Sequence, residues 1–308
     1  MRKVIKIRAE DSPNIRLAMA EMATGREPSG EVLVPGVMTW EEYQIRRRVW
    51  DKIAQTIGLD AEFYEGAEVK LYPPDWLAKA QSFALTRPEP QKDRWMGVDP
   101  AEGGDKSCWT VIDRWGVLDQ LSMGTPDTAV ITDRTLALMR EHNVPAVNVC
   151  FDRGGGGKQH ADRLREMGYG VDAVSFGEAI SVEPRRAMVQ MEERLEVRSE
   201  RHAFANRRAE MYWMLRELLD PGAPTAKAGL SFAIGSENKE LLRQLVLIPL
   251  WYKDGRFMLL PKNNPANEDD PRTLVKLIGH SPDEADSLVL AVYAMRRKKA
   301  AVTVGAMF

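Results

Sequence analysis

The spacing of apolar and polar positions divides the chain at a polar stretch with two prolines, Thr86–Asp93 (TRPEPQKD). Beyond it the apolar residues gather into short, strand-like runs. Trp95–Asp99 (WMGVD) is closed by a carboxylate; a Pro-Ala-Glu-Gly-Gly turn follows, and Asp105 stands six residues after Asp99. Cys108–Asp113 and Gly116–Leu121 are apolar and β-branched, and the tight link Asp113-Arg114-Trp115-Gly116 predicts that they pair as a hairpin. A helix is expected over Asp127–Glu141, with Leu136, Leu138 and Met139 on its apolar side. Ala146–Phe151 (AVNVCF) has the unbroken apolar character of a strand buried on both faces and runs into Asp152. The loop Gly154–Gly157, a helix to about Met167, a turn at Gly168–Gly170 and a strand Val171–Phe176 complete a βαβ unit, so this part of the sheet should be parallel.

Further on, His202–Leu219 and Glu237–Val246 carry helical patterns, and Leu247–Trp251 with Arg256–Leu260 forms a hairpin around Asp254-Gly255. Asn267–Leu277 is polar and then helical, Ser281–Arg297 is the last helix, and Val302–Phe308 reads as a tail. The first 94 residues differ in texture. Val4–Arg8 suggests a short strand, Glu10–Asn14 a turn into a helix, and Pro28–Gly36 a loop. Thr39 and Glu42 have capping-box spacing at the start of a helix reaching about Ile57, and Tyr72-Pro73-Pro74-Asp75 starts another through Phe83. No independent core is evident there. The expected organisation is a mostly helical or irregular segment over 1–94 and an α/β domain over 95–308, a mixed central sheet flanked by helices.

Composition changes this picture little. The chain has 308 residues, 44% of them apolar and 29% charged, as befits a globular protein. No apolar run of about 18 residues is present to span a membrane, and the N-terminus lacks a signal-peptide core, so an intracellular protein is expected. Cys108 and Cys150 lie in apolar runs and read as buried thiols. A formal net charge of −2 argues against uniform wrapping by nucleic acid but allows a local basic groove. Arg46-Arg47-Arg48, Arg185-Arg186, Arg207-Arg208 and Arg296-Arg297-Lys298-Lys299 are each explained by a solvated face or tail.

The chemistry lies in the carboxylates. Mg²⁺ and Mn²⁺ take oxygen ligands, and in α/β sheets such sites lie beyond the carboxyl ends of strands. Asp99 and Asp152 both end strands; one such residue alone is a common turn or cap, but two on neighbouring strands are a candidate site. A third comes from the last helix, where Ser281 is the expected N-cap, Pro282 N1 and Glu284 N3. Asp283 is explained by the helix dipole. Asp286 is not: it sits in ADSLVLA, a face that should pack on the sheet, where an unpaired carboxylate is costly. The four histidines, His142, His160, His202 and His280, show no metal-ligand spacing.

These segments resemble a known family, the C-terminal nuclease domain of the large terminase subunit of tailed phages. The resemblance rests on GVDPAEGGDKS (Gly97–Ser107), VCFDRGGGG (Val149–Gly157), NRRAEMYW (Asn206–Trp213) and HSPDEADSLVLA (His280–Ala291), in the family's order. It implies an RNase H-like fold and a metal-dependent endodeoxyribonuclease that cuts double-stranded viral DNA concatemers during packaging with low sequence specificity. By resemblance, Asp99, Asp152 and Asp286 are the catalytic triad holding two Mg²⁺ or Mn²⁺ ions, with Asp105 and Asp283 as auxiliary ligands and Glu210 structural. Gly155, Gly156, Lys158, Lys276 and His280 are candidate DNA contacts; the glycines are equally explained as a flexible connection. The implied partners are the portal protein and the small terminase subunit, in the host cell cytoplasm and outside the virion. Residues 1–94 share the texture of the end of the packaging ATPase, in DSPN, Pro35-Gly36 and Arg48-Val49-Trp50. GxxxxGK[ST] is absent, since Gly157-Lys158 is followed by Gln159, so ATPase activity is not expected and the chain reads as a truncated or split product. Two other readings stay open: a resolvase-type RNase H-like nuclease for Holliday junctions, and a non-catalytic packaging-motor docking module.

Overall fold

The computed structural model describes residues 7–49, 55, 58–61, 69–101, 105–124, 128–180, 204–223, 231–253, 256–265 and 271–297. The expected Val4–Arg8 strand lies mostly outside them, as do the Val302–Phe308 tail, the start of the His202 helix and the Asp254-Gly255 turn. The described residues form two compact units, one up to residue 61 and one from residue 69 onward.

In the first unit, α1 (Pro13–Ala23) and α2 (Trp40–Val49) pack around buried Ile15, Tyr43 and Leu59. The capping box forms: the Glu42 amide donates to Thr39 Oγ1 at 3.2 Å and the Thr39 amide to Glu42 Oε2 at 3.0 Å. Arg47 bonds Tyr43, Glu10 and Asp60 from one guanidinium. This small core was not foreseen, because its members are scattered singly among polar residues.

The second unit is built on a five-stranded sheet ordered β3-β2-β1-β4-β5. Its strands are β1 (Trp95–Asp99), β2 (Lys106–Asp113), β3 (Gly116–Gly124), β4 (Val149–Asp152) and β5 (Asp172–Val174). The β1–β2 and β2–β3 pairs are antiparallel, while β1–β4 and β4–β5 are parallel, as the βαβ pattern requires. Asp113 closes the β2–β3 turn by accepting from the amides of Trp115 and Gly116 at 2.7 and 3.1 Å. Two boundaries move inward. Ala146–Asn148 is a 3₁₀ turn after Pro145, with the Asn148 side-chain Nδ2 donating to the Arg94 carbonyl at 2.8 Å, so β4 starts at Val149. The Val171–Phe176 strand is only three residues long.

Side-chain alternation along the strands assigns the two faces. Met96, Val98, Trp109, Val111, Val149 and Phe151 join α4 (Thr128–Glu141) and α5 (Gly157–Glu166) in one core. The opposite face presents Gly97, Thr110, Ile112 and Cys150 to α9 (Asp283–Arg296), which is buried on nearly every side. Around α9 stand α3 (Pro74–Ala84), α6 (Arg207–Leu219), α7 (Lys239–Leu247) and α8 (Leu274–Ile278). The residues just before β1 thus belong to this core: Tyr72 donates to the Tyr212 carbonyl at 2.9 Å, and Arg216 bonds the Leu71 carbonyl. The expected late hairpin shrinks to β6 (Tyr252–Lys253) and β7 (Arg256–Phe257), and the helical end of the Asn267–Leu277 stretch is α8, whose start Thr273 caps. Cys108 and Cys150 are buried and free.

Gly97 sets how close α9 comes. A Cβ there would lie 2.0 Å from the Ser287 carbonyl oxygen and 2.4 Å from the Ala291 nitrogen, so only glycine admits the helix backbone to the strand. Beside it Thr110 and Ser287 share a 2.5 Å hydrogen bond. The helix starts later than its sequence suggests. Pro282, not Ser281, is its N-cap, and side-chain capping comes from Gln244 on α7, which accepts from the Ala285 amide at 2.9 Å and donates to Glu284.

Candidate metal centre

The parity that puts Gly97 and Cys150 against α9 puts Asp99 and Asp152, two residues further on, toward the same side. With Val98 opposite Phe151 in the parallel pair, the two aspartates follow at one sheet edge, the carboxyl ends of β1 and β4. Asp283 and Asp286, one turn apart at the start of α9, meet them there. Burial raises the Asp99 carboxyl well above the ordinary carboxylate range, and the charges of Asp286, Asp152 and Asp283 add to this against the opposing Lys262. Asp152 is raised by burial and by Asp286, against the backbone N–H groups of Gly154 and Phe176 and the charge of Arg208. Asp283 is also raised, chiefly by burial. Mutual repulsion among buried carboxylates is the condition that a divalent cation relieves, and an all-oxygen donor set suits Mg²⁺ or Mn²⁺.

Asp286 has a partner that its sequence position did not reveal. Arg208 on α6 donates to Asp286 Oδ1 through Nε at 3.1 Å and Nη2 at 2.8 Å, and to Oδ2 through Nη2 at 2.7 Å. Tyr212, one turn along α6, donates to Oδ1 at 2.7 Å. Burial lowers the Arg208 pKa, but Asp286, Tyr212 and Asp99 outweigh it, so the guanidinium stays charged. The start of α6 is fixed by the Arg208 amide on the Phe176 carbonyl at 3.0 Å and the Arg207 amide on Glu178 at 2.9 Å, which ties it to the turn whose Phe176 amide bonds Asp152. With Asp286 turned onto Arg208, no three carboxylate, histidine or cysteine side chains among the described residues are disposed to enclose an ion as they stand.

Of the auxiliary candidates, Asp105 and Asp283 flank Lys262, whose ammonium is 3.9 Å from one and 4.0 Å from the other. Lys262 escaped sequence reading because nothing in PKNNP marks it. Arg208 and Tyr212 did leave a signal: their i, i+4 spacing places both on one helix face within NRRAEMYW. Glu210 is structural, held by Arg207 at 2.5 Å. Gly155 and Gly156 have φ of +54° and +78°, and a Cβ on Gly155 would sit 2.3 Å from the Pro100 carbonyl oxygen, so the loop seats against the residue after Asp99. The structure gives the remaining candidates contacts away from the acidic cluster: Lys158 pairs with Asp162 at 2.6 Å, Lys276 bonds the Pro271 carbonyl, and His280 packs on Arg243 and Glu240.

No protein-family model matches this chain, and no curated protein matches its sequence. Solved structures do. The nuclease domain of the large terminase subunit of bacterial virus Sf6 superposes with a TM-score of 0.56 at 19% identity, covering 75% of this chain and 100% of that one. This chain has the fold of a terminase nuclease domain. A variant of the Sf6 domain holding manganese and beta-thujaplicinol gives the same figures, a TM-score of 0.56 and 19% identity over 75% and 100% of the two chains. A calcium-containing form gives 0.55 at 18% identity, over 73% and 99%. The five-stranded mixed sheet flanked by helices is the RNase H-like arrangement expected, and Asp99 and Asp152 of this chain stand at the carboxyl ends of β1 and β4. Among the described residues no helix is long and apolar enough to cross a membrane.

Proposed function

We propose that this chain is a metal-dependent endonuclease that cuts double-stranded viral DNA concatemers during genome packaging. One observation carries the reading: Asp99, Asp152 and Asp286 come from two parallel strand ends and a buried helix to one edge, where their charges act on one another. The fold shared with terminase nuclease domains supports it, as does the manganese bound in an Sf6 structure.

Asp99, Asp152 and Asp286 would hold the ions, with Asp283 and Asp105 beside them. When bound, two Mg²⁺ or Mn²⁺ ions would supply an activated water and charge stabilisation for in-line phosphodiester hydrolysis. The protein's share is positioning. The Gly154 and Phe176 amides orient Asp152, Arg208 and Tyr212 fix Asp286, and Lys262 at the rim offers a positive charge to a DNA phosphate. Side chains that address phosphates read no base edges, so sequence preference is low. Portal protein and small terminase subunit are the proposed partners, and the host cytoplasm the proposed setting.

The test is plasmid cleavage with Mn²⁺, Mg²⁺ or EDTA, comparing the wild type with Asp152→Ala. Nicking and linearisation that need metal and vanish in the variant are expected. A wild type that cleaves no duplex with either metal would overturn the proposal.

A further inference from the structure

The geometry points to a docking surface on the first unit, suited to an apolar helix with basic borders that belongs to a partner protein. Met19, Met22, Val32, Leu33, Val34 and Val37 are each between 37% and 52% exposed. They are six of the thirteen large apolar side chains that the described residues leave open, and all fall within Met19–Val37. Apolar side chains scattered singly over a surface need no explanation, but a gathered set does.

The set is gathered because the chain doubles back along α1. Near the end of that helix the Ser29 amide donates to Glu21 Oε2 at 2.8 Å. At its start Asn14 holds Val34 on both sides: Nδ2 donates to the Val34 carbonyl at 3.0 Å, and the Val34 amide donates to Oδ1 at 2.9 Å. Nδ2 also reaches the Val37 carbonyl at 3.3 Å, and Ser12 Oγ donates to the Met38 carbonyl at 3.1 Å. Val32 and Leu33 are thus strung between the two ends of α1. Asn14, Ala18 and Met22 follow one another at i, i+4 and i+8, so Met22 lies on the stripe the loop runs along, with Met19 beside it. Asn14 is itself buried, an amide devoted to the backbone of a loop that shows its apolar side chains to solvent. A loop already held in one shape loses little freedom on docking, and two thioethers adapt readily to the side chains of an incoming helix.

The charges on the border select the partner. Glu21, Glu27 and Glu31 stand there against the single Arg26. Arg16 is paired with Asp11 at 2.6 Å, and Arg46 turns onto the Met38 sulfur at 3.8 Å. An excess of carboxylates beside exposed apolar groups favours lysine or arginine on the flanks of what docks. It disfavours a second copy of the same surface, which would bring like charges together, and an anionic lipid surface for the same reason.

Fluorescence anisotropy of a labelled synthetic helix, with leucine at i, i+3, i+4 and i+7 and lysine elsewhere, tests this on the full chain. Saturable binding is expected, with Kd raised about tenfold or more by Leu33→Asp, an exposed position whose change leaves the fold intact. Glu27→Lys combined with Glu31→Lys should weaken binding at low salt, and less so at high salt. A helix with glutamate in place of every lysine should bind more weakly than the lysine form. Absence of binding by wild type would overturn the inference, as would equal binding of the two helices. Tighter binding by Leu33→Asp would reduce the contact to charge alone and overturn it too. A dimer in sedimentation velocity that Leu33→Asp disperses would give the surface to a second copy instead, and binding to phosphatidylcholine vesicles that the same variant abolishes would give it to lipid.

Discussion

Gly97 lies against the backbone of Ser287 so closely that a methyl group would occupy the space of the Ser287 carbonyl oxygen. This contact brings the first turn of α9 down to the end of β1, and so Asp286 to Asp99. Gly97→Ala should displace the helix and cost about 3 kcal/mol or more, the upper range of overpacking, because backbone and not a side-chain tip must yield. The urea midpoint measures it. A variant within about 0.5 kcal/mol of wild type would mean that α9 can retreat freely.

Asp99→Ala, Asp152→Ala and Asp286→Ala should each abolish plasmid cleavage while the far-ultraviolet spectrum stays native. Retention of wild-type cleavage by all three would show that the site lies elsewhere.

The raised carboxyls make the metal-free protein sensitive to alkali. A carboxyl whose folded value exceeds its unfolded one adds stability that is full below the unfolded value, near 3.8 for Asp99, and is lost as pH rises through the folded value. Asp152 and Asp283 act in the same direction. In EDTA, Tm should fall between mildly acidic and mildly alkaline pH, and Asp99→Asn should fall less. An equal fall in both proteins would remove Asp99 from the explanation.

Gly155→Ala meets two obstacles, a φ of +54° and the Pro100 carbonyl oxygen. The left-handed conformation alone costs about 1–2 kcal/mol. Thermal unfolding should show a loss of at least that size, and Gly25→Ala supplies the comparison: its φ is +75° but nothing lies within 4 Å, so only the conformational part should appear.

Lys262→Ala should weaken DNA binding and lower the salt slope by about 0.9, the release of one counterion per phosphate contact. Fluorescence anisotropy of a labelled duplex in EDTA over a salt series measures this. An unchanged slope would place Lys262 off the DNA path.

Much of the site was legible because strand periodicity is a local property. The runs ending at Asp99 and Asp152 could be recognised one at a time, and the cost of burying Asp286 pointed to compensation, which the sequence assigned to a divalent metal rather than to a side-chain partner. The identity of that partner could not be read, since Arg208 lies 78 positions away and no local pattern joins a helix to the carboxylate it meets. The same limit hid Gln244, which caps α9 from another helix. Pro145 and the Asn148–Arg94 hydrogen bond shortened a run whose apolar content alone reads as strand. The small core of Ile15, Tyr43 and Leu59 was invisible because its members are not periodic.

The two hydrogen bonds that join Leu71 and Tyr72 to α6 have a mechanical meaning. A tension pulling on the chain ahead of Leu71 would load the carbonyl of Tyr212 and the side chain of Arg216 before it loaded any strand of the sheet. Tyr212 and Arg208 share a turn of α6 and both grip Asp286. The chain entering this unit is thus harnessed, beside its backbone hydrogen bonds to Ile248 and Leu250, to the helix that steadies one of its acidic side chains, and force applied at that entry would reach the candidate centre's support.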